Sequence, residues 1–126
     1  MKAGRDAPAW WALAISWALF LRFLGSRPPE AIPDVPWLFP GFDKCLHAGF
    51  YGVLGLLWVR AIAPRRAGIA LLIGALTGLI WGGFDEWMQG RSGFREADLL
   101  DLAADVAGAA AGGWVAFRTL LFQRRS

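Results

Sequence analysis

Three groups of polar residues interrupt a chain that is otherwise strongly apolar. Asp43, His47 and Tyr51 are spaced i, i+4, i+8, which puts them on one face of a helix, with Leu54 continuing the stripe. Asp85 and Gln89 are again four apart, with Glu86 beside them, and Asp101 and Asp105 repeat the interval a third time. Imidazole titrates near neutrality, so His47, or one of Asp85, Glu86, Asp101 and Asp105, could act as a general acid or base. Lys44 and Arg95 could hold an anionic group beside them. The same side chains could instead neutralise one another as a structural network, with Lys44, Arg95 and His47 set against Asp43, Asp85, Glu86, Asp101 and Asp105. Buried networks of that kind fix register more than they add stability. Spacing alone leaves both readings open.

Other chemistries have less support. No ligand pair has the spacing of a metal motif, so neither a metal nor another cofactor is expected. Cys45 is the only cysteine, which excludes an intrachain disulfide and a Cys-rich zinc or iron–sulfur site. It stands between Lys44 and His47, but adjacent helical residues point about 100° apart, and a packed thiol is the expectation. Ser92 has no G-x-S-x-G surroundings that would mark a nucleophile.

The elements that must position these groups are apolar segments of membrane-spanning length. The chain has 126 residues, enough for one domain over 1–126, with 56% hydrophobic residues and a mean hydropathy of +0.42. Only 18% of residues are charged, against about 25% in a soluble domain, which excludes intrinsic disorder. Four segments stand out, over about 8–24, 45–63, 67–84 and 102–122, each close to the roughly 20 residues that cross the hydrocarbon core as a helix. A soluble amphipathic helix would carry polar residues every third or fourth position along its whole length. The third segment carries no charge at all. The expected fold is therefore an all-α membrane protein, a bundle of four transmembrane helices. The first segment follows Lys2 and Arg5 as a signal peptide would, but Leu24–Pro29 makes a poor cleavage site, and a retained helix is expected. Pro28, Pro29, Pro33, Pro36 and Pro40 make 25–44 an extended loop, Pro64 marks a short turn over 60–66, and 85–101 reads as a polar connection.

Small residues continue the polar stripes. Gly74, Gly78 and Gly82 lie on the stripe of Asp85 and Gln89, and Gly108 and Gly112 fall within about 60° of Asp101 and Asp105. Glycine lets helices approach closely in lipid, so these faces are expected to meet inside the bundle with the carboxylates at one end. Trp10, Trp11, Trp37, Trp58, Trp81 and Trp87 fall near span ends or in a loop, as an aromatic belt requires, while Trp17 and Trp114 read as lipid-facing or packing residues. Lys2, Arg5, Arg60, Arg65, Arg66, Arg118, Arg124 and Arg125 lie on one side of the expected topology, and Arg22, Arg27, Lys44, Arg91 and Arg95 on the other. The positive-inside rule puts both termini in the cytoplasm and the two larger loops outside. The net charge of +3 is scattered and forms no phosphate-tracking patch, so nucleic acid is not an expected partner.

Taken in order, these residues resemble the VanZ-like family of small bacterial membrane proteins. Its first motif, D-K-x-x-H-x-x-x-Y-x-x-L, is met by Asp43, Lys44, His47, Tyr51 and Leu54. Its second, D-E-x-x-Q with an Arg six residues on, is met by Asp85, Glu86, Gln89 and Arg95. Its third, D-x-x-x-N/D-x-x-G-x-x-x-G, is met by Asp101, Asp105, Gly108 and Gly112. The family's aromatic residue and Pro-Gly before the Arg are replaced here by Gly90-Arg91-Ser92-Gly93-Phe94. The resemblance implies an integral protein of the bacterial cytoplasmic membrane, in a family named for a member associated with low-level teicoplanin resistance. It supplies no reaction.

Three functions are consistent with these features. The first is a non-enzymatic envelope protein whose outward polar site binds a lipid or cell-wall group, or modulates glycopeptide susceptibility. Its binding residues would be Asp43, Lys44, His47, Tyr51, Asp85, Glu86, Gln89, Arg95, Asp101 and Asp105. The second is a small membrane enzyme acting on a lipid-linked or phosphorylated envelope substrate, and the third a structural or partner-binding bundle. The lipid bilayer is the partner common to all three.

Overall fold

The computed structural model describes residues 6–27, 40–93 and 98–126, and among them the only regular elements are four helices. They are α1 (Ala7–Gly25), α2 (Phe42–Ile62), α3 (Ala67–Ser92) and α4 (Leu99–Arg125). All four are long and apolar enough to cross a membrane. Large apolar side chains cover their outer faces, including Leu19, Leu72 and Ile80, as lipid rather than water would favour.

Local chemistry sets the boundaries. Pro8 opens α1, where a missing N–H costs nothing, and Ser26 closes it by donating its hydroxyl to Phe23 O at 2.7 Å. Gly41, with φ of 85°, turns the chain into α2, and its carbonyl accepts from the N–H groups of Lys44 and Cys45. The 45–63 expectation therefore starts three residues late, and Asp43 and Lys44 belong to the helix. The helix α3 does not stop at Phe84 but runs to Ser92, because nothing between Asp85 and Ser92 breaks it before Gly93 takes a φ of 73°. Asp85, Glu86 and Gln89 thus sit on a helix rather than in a connection. Asp98 caps α4 by accepting from Leu100 N–H at 2.8 Å, which starts that helix three residues before Leu102.

The helix α4 forms the centre of the bundle, packed most extensively against α2 and α3, while α1 lies against α2. Glycine makes this closeness possible on both sides. A Cβ at Gly108 or Gly112 would collide with the α2 backbone at Ala48 and Gly52, and one at Gly55 with Ala109. On the other side, a Cβ at Gly74 would lie 2.6 Å from Ala109 O, and one at Gly78 2.8 Å from Asp105 O. The five expected packing glycines all face α4 or belong to it, and Gly52, Gly55 and Gly113 join them. The side chains between are small or tightly fitted. One cluster gathers Ala18, Leu21, Tyr51, Leu54 and Ala109, and a second Val59, Ala70, Ala116 and Phe117. Trp17 packs on the first cluster and donates its indole N–H to Phe50 O at 2.9 Å, whereas Trp114 is exposed beside Phe117.

The two ends of the bundle differ in charge. At one end Arg60 reaches Gln123 and lies over the Trp10 ring, and Arg124 donates to Ala63 O and Pro64 O. At the other end Arg22, Lys44 and His47 meet the carboxylates of α3 and α4.

Candidate functional site

The polar end draws one layer of side chains from all four helices. From α2, Lys44 Nζ donates to Asp43 Oδ2 at 2.8 Å, to Asp98 Oδ2 at 2.7 Å and to Asp101 Oδ1 at 2.6 Å. A lysine ammonium has three N–H donors, and here each has a carboxylate. One turn further along α2, His47 Nδ1 lies 2.7 Å from Asp105 Oδ1, and its Nε2 lies 3.7 Å from Asp101 Oδ2. The imidazole is thus held between a buried carboxyl and a partly exposed one. One turn further again, Tyr51 is buried, its ring parallel to that of His47, and its hydroxyl donates to Asp85 Oδ2 at 2.8 Å. The i, i+4, i+8 stripe reaches three different sets of acids because each turn of α2 rises past a different part of α3 and α4.

From α1, Arg22 donates to the other oxygen of Asp85 at 2.9 Å, with its guanidinium 5.6 Å from the centre of the Phe84 ring. From α3, Glu86 Oε2 accepts the backbone N–H of Asp98 at 2.6 Å, tying α3 to the start of α4. Gln89 is buried on the same face as Asp85. Asp43 is paired with Lys44 but points outward, its side chain 64% exposed, so it closes the rim rather than the interior.

Asp98 lies outside the membrane-spanning segments. The Lys44 ammonium, followed by the Leu100 N–H, holds its carboxyl below the ordinary value of 3.8.

Two oxygens in this layer stay unsatisfied although they are buried. Among the described residues, Asp105 Oδ2 and Glu86 Oε1 have no hydrogen-bond partner. Asp105 is 1% exposed and Glu86 7% exposed. Asp105 Oδ2 faces the bare Cα of Gly82, where a Cβ would stand 2.7 Å away. Buried acceptors in folded proteins are nearly always paired, so an unpaired one calls for an explanation.

The structure therefore brings together Lys44, His47, Tyr51, Asp85, Glu86, Asp101 and Asp105, and sets Asp43 at the rim. Arg95 lies outside the described residues, as do Trp37, Lys2, Arg5, Pro28, Pro29, Pro33 and Pro36. Two participants were absent from the sequence-derived set. Arg22 reads in the sequence as a charge at a span end, although it is the one charge inside the first apolar segment. Asp98 reads as loop, although an Asp directly before an apolar run is a cap signal. Cys45, expected to be packed, is exposed, because its position on α2 turns it away from the small-residue seam. Among the described residues no group of three or more His, Cys, Asp or Glu side chains is arranged to hold a metal ion.

These features define a multi-pass helical bundle with a carboxylate-rich layer at one end. Comparison with family models, curated proteins and solved structures gives no match for the chain.

Proposed function

We propose that the chain is a VanZ-like protein of the bacterial cytoplasmic membrane. Its polar end faces outward and binds the polar group of an envelope lipid or cell-wall precursor. One observation carries the binding reading: Asp105 Oδ2 and Glu86 Oε1 are buried and, among the described residues, without a hydrogen-bond partner. A network built only to lock the helices would satisfy its own acceptors, since an unpaired buried polar group weakens the lock it belongs to. The orientation is supported by the other end, where Arg60, Arg65, Arg66, Arg118, Arg124 and Arg125 lie at helix ends or in the α2–α3 turn. Modulation of teicoplanin susceptibility enters through the resemblance of the three motifs.

The test uses isosteric neutral variants. Asp105→Asn and Glu86→Gln are expected to accumulate in the membrane at wild-type level while losing the resistance or envelope phenotype. Failure to accumulate would replace the binding reading with a structural one. Orientation is tested with a membrane-impermeant maleimide on Gly90→Cys in a Cys45→Ser background. Labelling in intact cells supports the outward polar end, and labelling only after lysis reverses it.

A second reading has one observation in its favour. A carboxylate 2.7 Å from Nδ1 fixes the ring of a histidine, as in sites where the imidazole serves as general base. On that reading the chain is a small membrane enzyme, and His47→Gln would abolish turnover of an envelope substrate while leaving its binding intact.

A further inference from the structure

The charge balance at the polar end specifies the chemistry of what it binds. Six carboxylates are linked there through short contacts: Asp43, Asp85, Glu86, Asp98, Asp101 and Asp105. Among the described residues, two fixed cations touch them, Arg22 on Asp85 and Lys44 on the other side, with His47 as a third when it is protonated. Arg27 and Arg91, at the same end, lie over the rings of Phe23 and Trp87. The cluster is acid-rich, and among the described residues its two unpaired acceptors belong to two of its three buried carboxyls, Asp105 at 1% and Glu86 at 7% exposure. Charge at such depth is costly unless a proton neutralises it or a counter-charge meets it.

We propose that this end receives a primary ammonium group, with the unpaired oxygens of Asp105 and Glu86 among its acceptors. The inference rests on the reading that the site binds an envelope group, and narrows that group to a cationic amine. Lys44 shows what the site accepts, since its own ammonium is met by three carboxylates at 2.6–2.8 Å. A phosphate would add negative charge to a surplus of it. A divalent metal would need a convergent donor set, which the described residues do not provide. A quaternary ammonium is recognised by a cage of aromatic faces, and Phe23, Phe84 and Trp87 each already carry an arginine over one face. A primary ammonium instead brings N–H donors, which are what open carboxylate oxygens lack.

The test is a thermal melt of the full chain in neutral maltoside micelles, followed by tryptophan fluorescence during titration with four probes. These are dodecylammonium, dodecyltrimethylammonium, dodecyl phosphate and the soluble amine lysinamide. Dodecylammonium should raise the melting temperature saturably, at about tenfold lower concentration than its trimethyl analogue, the ratio expected when a charge-assisted hydrogen bond is lost. Dodecyl phosphate should give no rise. Stabilisation by dodecylammonium alone identifies a lipid headgroup as the source, and an equal effect of lysinamide identifies a peptide or amino-sugar amine. The response should vanish in the Asp105→Asn/Glu86→Gln double variant, or in Glu86→Gln alone if the double variant does not fold. Equal responses to the primary and trimethyl probes, stabilisation by the phosphate, no response, or a response retained in the variants would each overturn the proposal. If the neutral variants lose the envelope phenotype while wild type shows no ammonium preference, the binding reading stands and this inference falls. If the phenotype also survives, both fall.

Discussion

Asp105 presents one carboxyl oxygen to His47 at 2.7 Å and the other to the bare Cα of Gly82, without a hydrogen-bond partner. The missing side chain at Gly82 therefore shapes the site as much as the residues that are present. A Cβ there would stand 2.7 Å from Asp105 Oδ2 and 3.0 Å from its Cβ. Asp105 is almost wholly enclosed, so it has little room to give way.

Gly82→Ala is accordingly expected to destabilise the bundle by about 1–3 kcal/mol, the usual cost of overpacking. Its neighbour supplies the control. Nothing lies within 4 Å of a Cβ at Gly83, so Gly83→Ala should be neutral or gain up to about 1 kcal/mol from helix propensity. Detergent-phase thermal melts of the two variants should diverge in sign. Equal behaviour would mean that α3 and α4 are not as close at Gly82 as the geometry states.

The Arg22–Asp85 pair joins α1 to α3, and its carboxyl end is buried. Arg22→Met leaves Asp85 with Tyr51 alone, whereas Arg22→Met with Asp85→Asn removes the charge from both sides. Removing one partner of a buried pair strands the other, so the single variant should lose more stability than the double. A double-mutant cycle is expected to return a coupling of about 1–3 kcal/mol. Additive losses would show that the contact carries no energy.

The three polar stripes are legible in the sequence because helical periodicity alone puts Asp43, His47 and Tyr51, or Asp101 and Asp105, on one face. The four spans are legible for an equally local reason: uninterrupted apolar length. Pairing between helices is not local. Arg22 and Asp85 are 63 positions apart, and no pattern near either one names the other. Asp98 was hidden differently. Starting the fourth helix at Leu102 makes Asp98 a loop residue, whereas the apolar pair Leu99 and Leu100 directly after it turns it into a cap that also reaches Lys44. Gly52 is legible as half of a small-xxx-small pair with Ala48, whereas Gly55 has no small residue four positions away, and no pattern near either one names the helix it meets.

Acid should act on the start of α4 through Asp98. Lys44 and the Leu100 N–H hold its folded-state carboxyl below the ordinary 3.8, so the unfolded chain takes up its proton first as pH falls. Its contribution to stability is therefore complete above about pH 4 and is lost as pH drops through the lower folded value. Asp98→Asn keeps a capping side chain but removes the charge. Below about pH 4 the variant should lose stability less steeply than wild type, and at neutral pH it should be slightly less stable. Melts across that range check this, and parallel profiles would remove Lys44–Asp98 as the cause.

The turn between α2 and α3 offers a test at the opposite end of the molecule. Ala63 takes a φ of 51°, the only positive φ outside glycine among the described residues, at the position where helices usually end on glycine. Two contacts hold it there: its N–H donates to Val59 O at 2.8 Å, and its carbonyl accepts from Arg124 at 2.9 Å. A left-handed conformation costs an L-residue roughly 1–2 kcal/mol, which glycine avoids, while glycine loses about 0.4–1 kcal/mol through the freer unfolded chain. The net expectation for Ala63→Gly is a gain of about 0.5–1 kcal/mol, with both backbone contacts kept. Ala103→Gly, exposed within α4, should instead lose about 1 kcal/mol, because an ordinary helical position gives glycine nothing in return. Opposite shifts in melting temperature for the same chemical change would place the strain at Ala63, and two losses would show that the turn is not left-handed there.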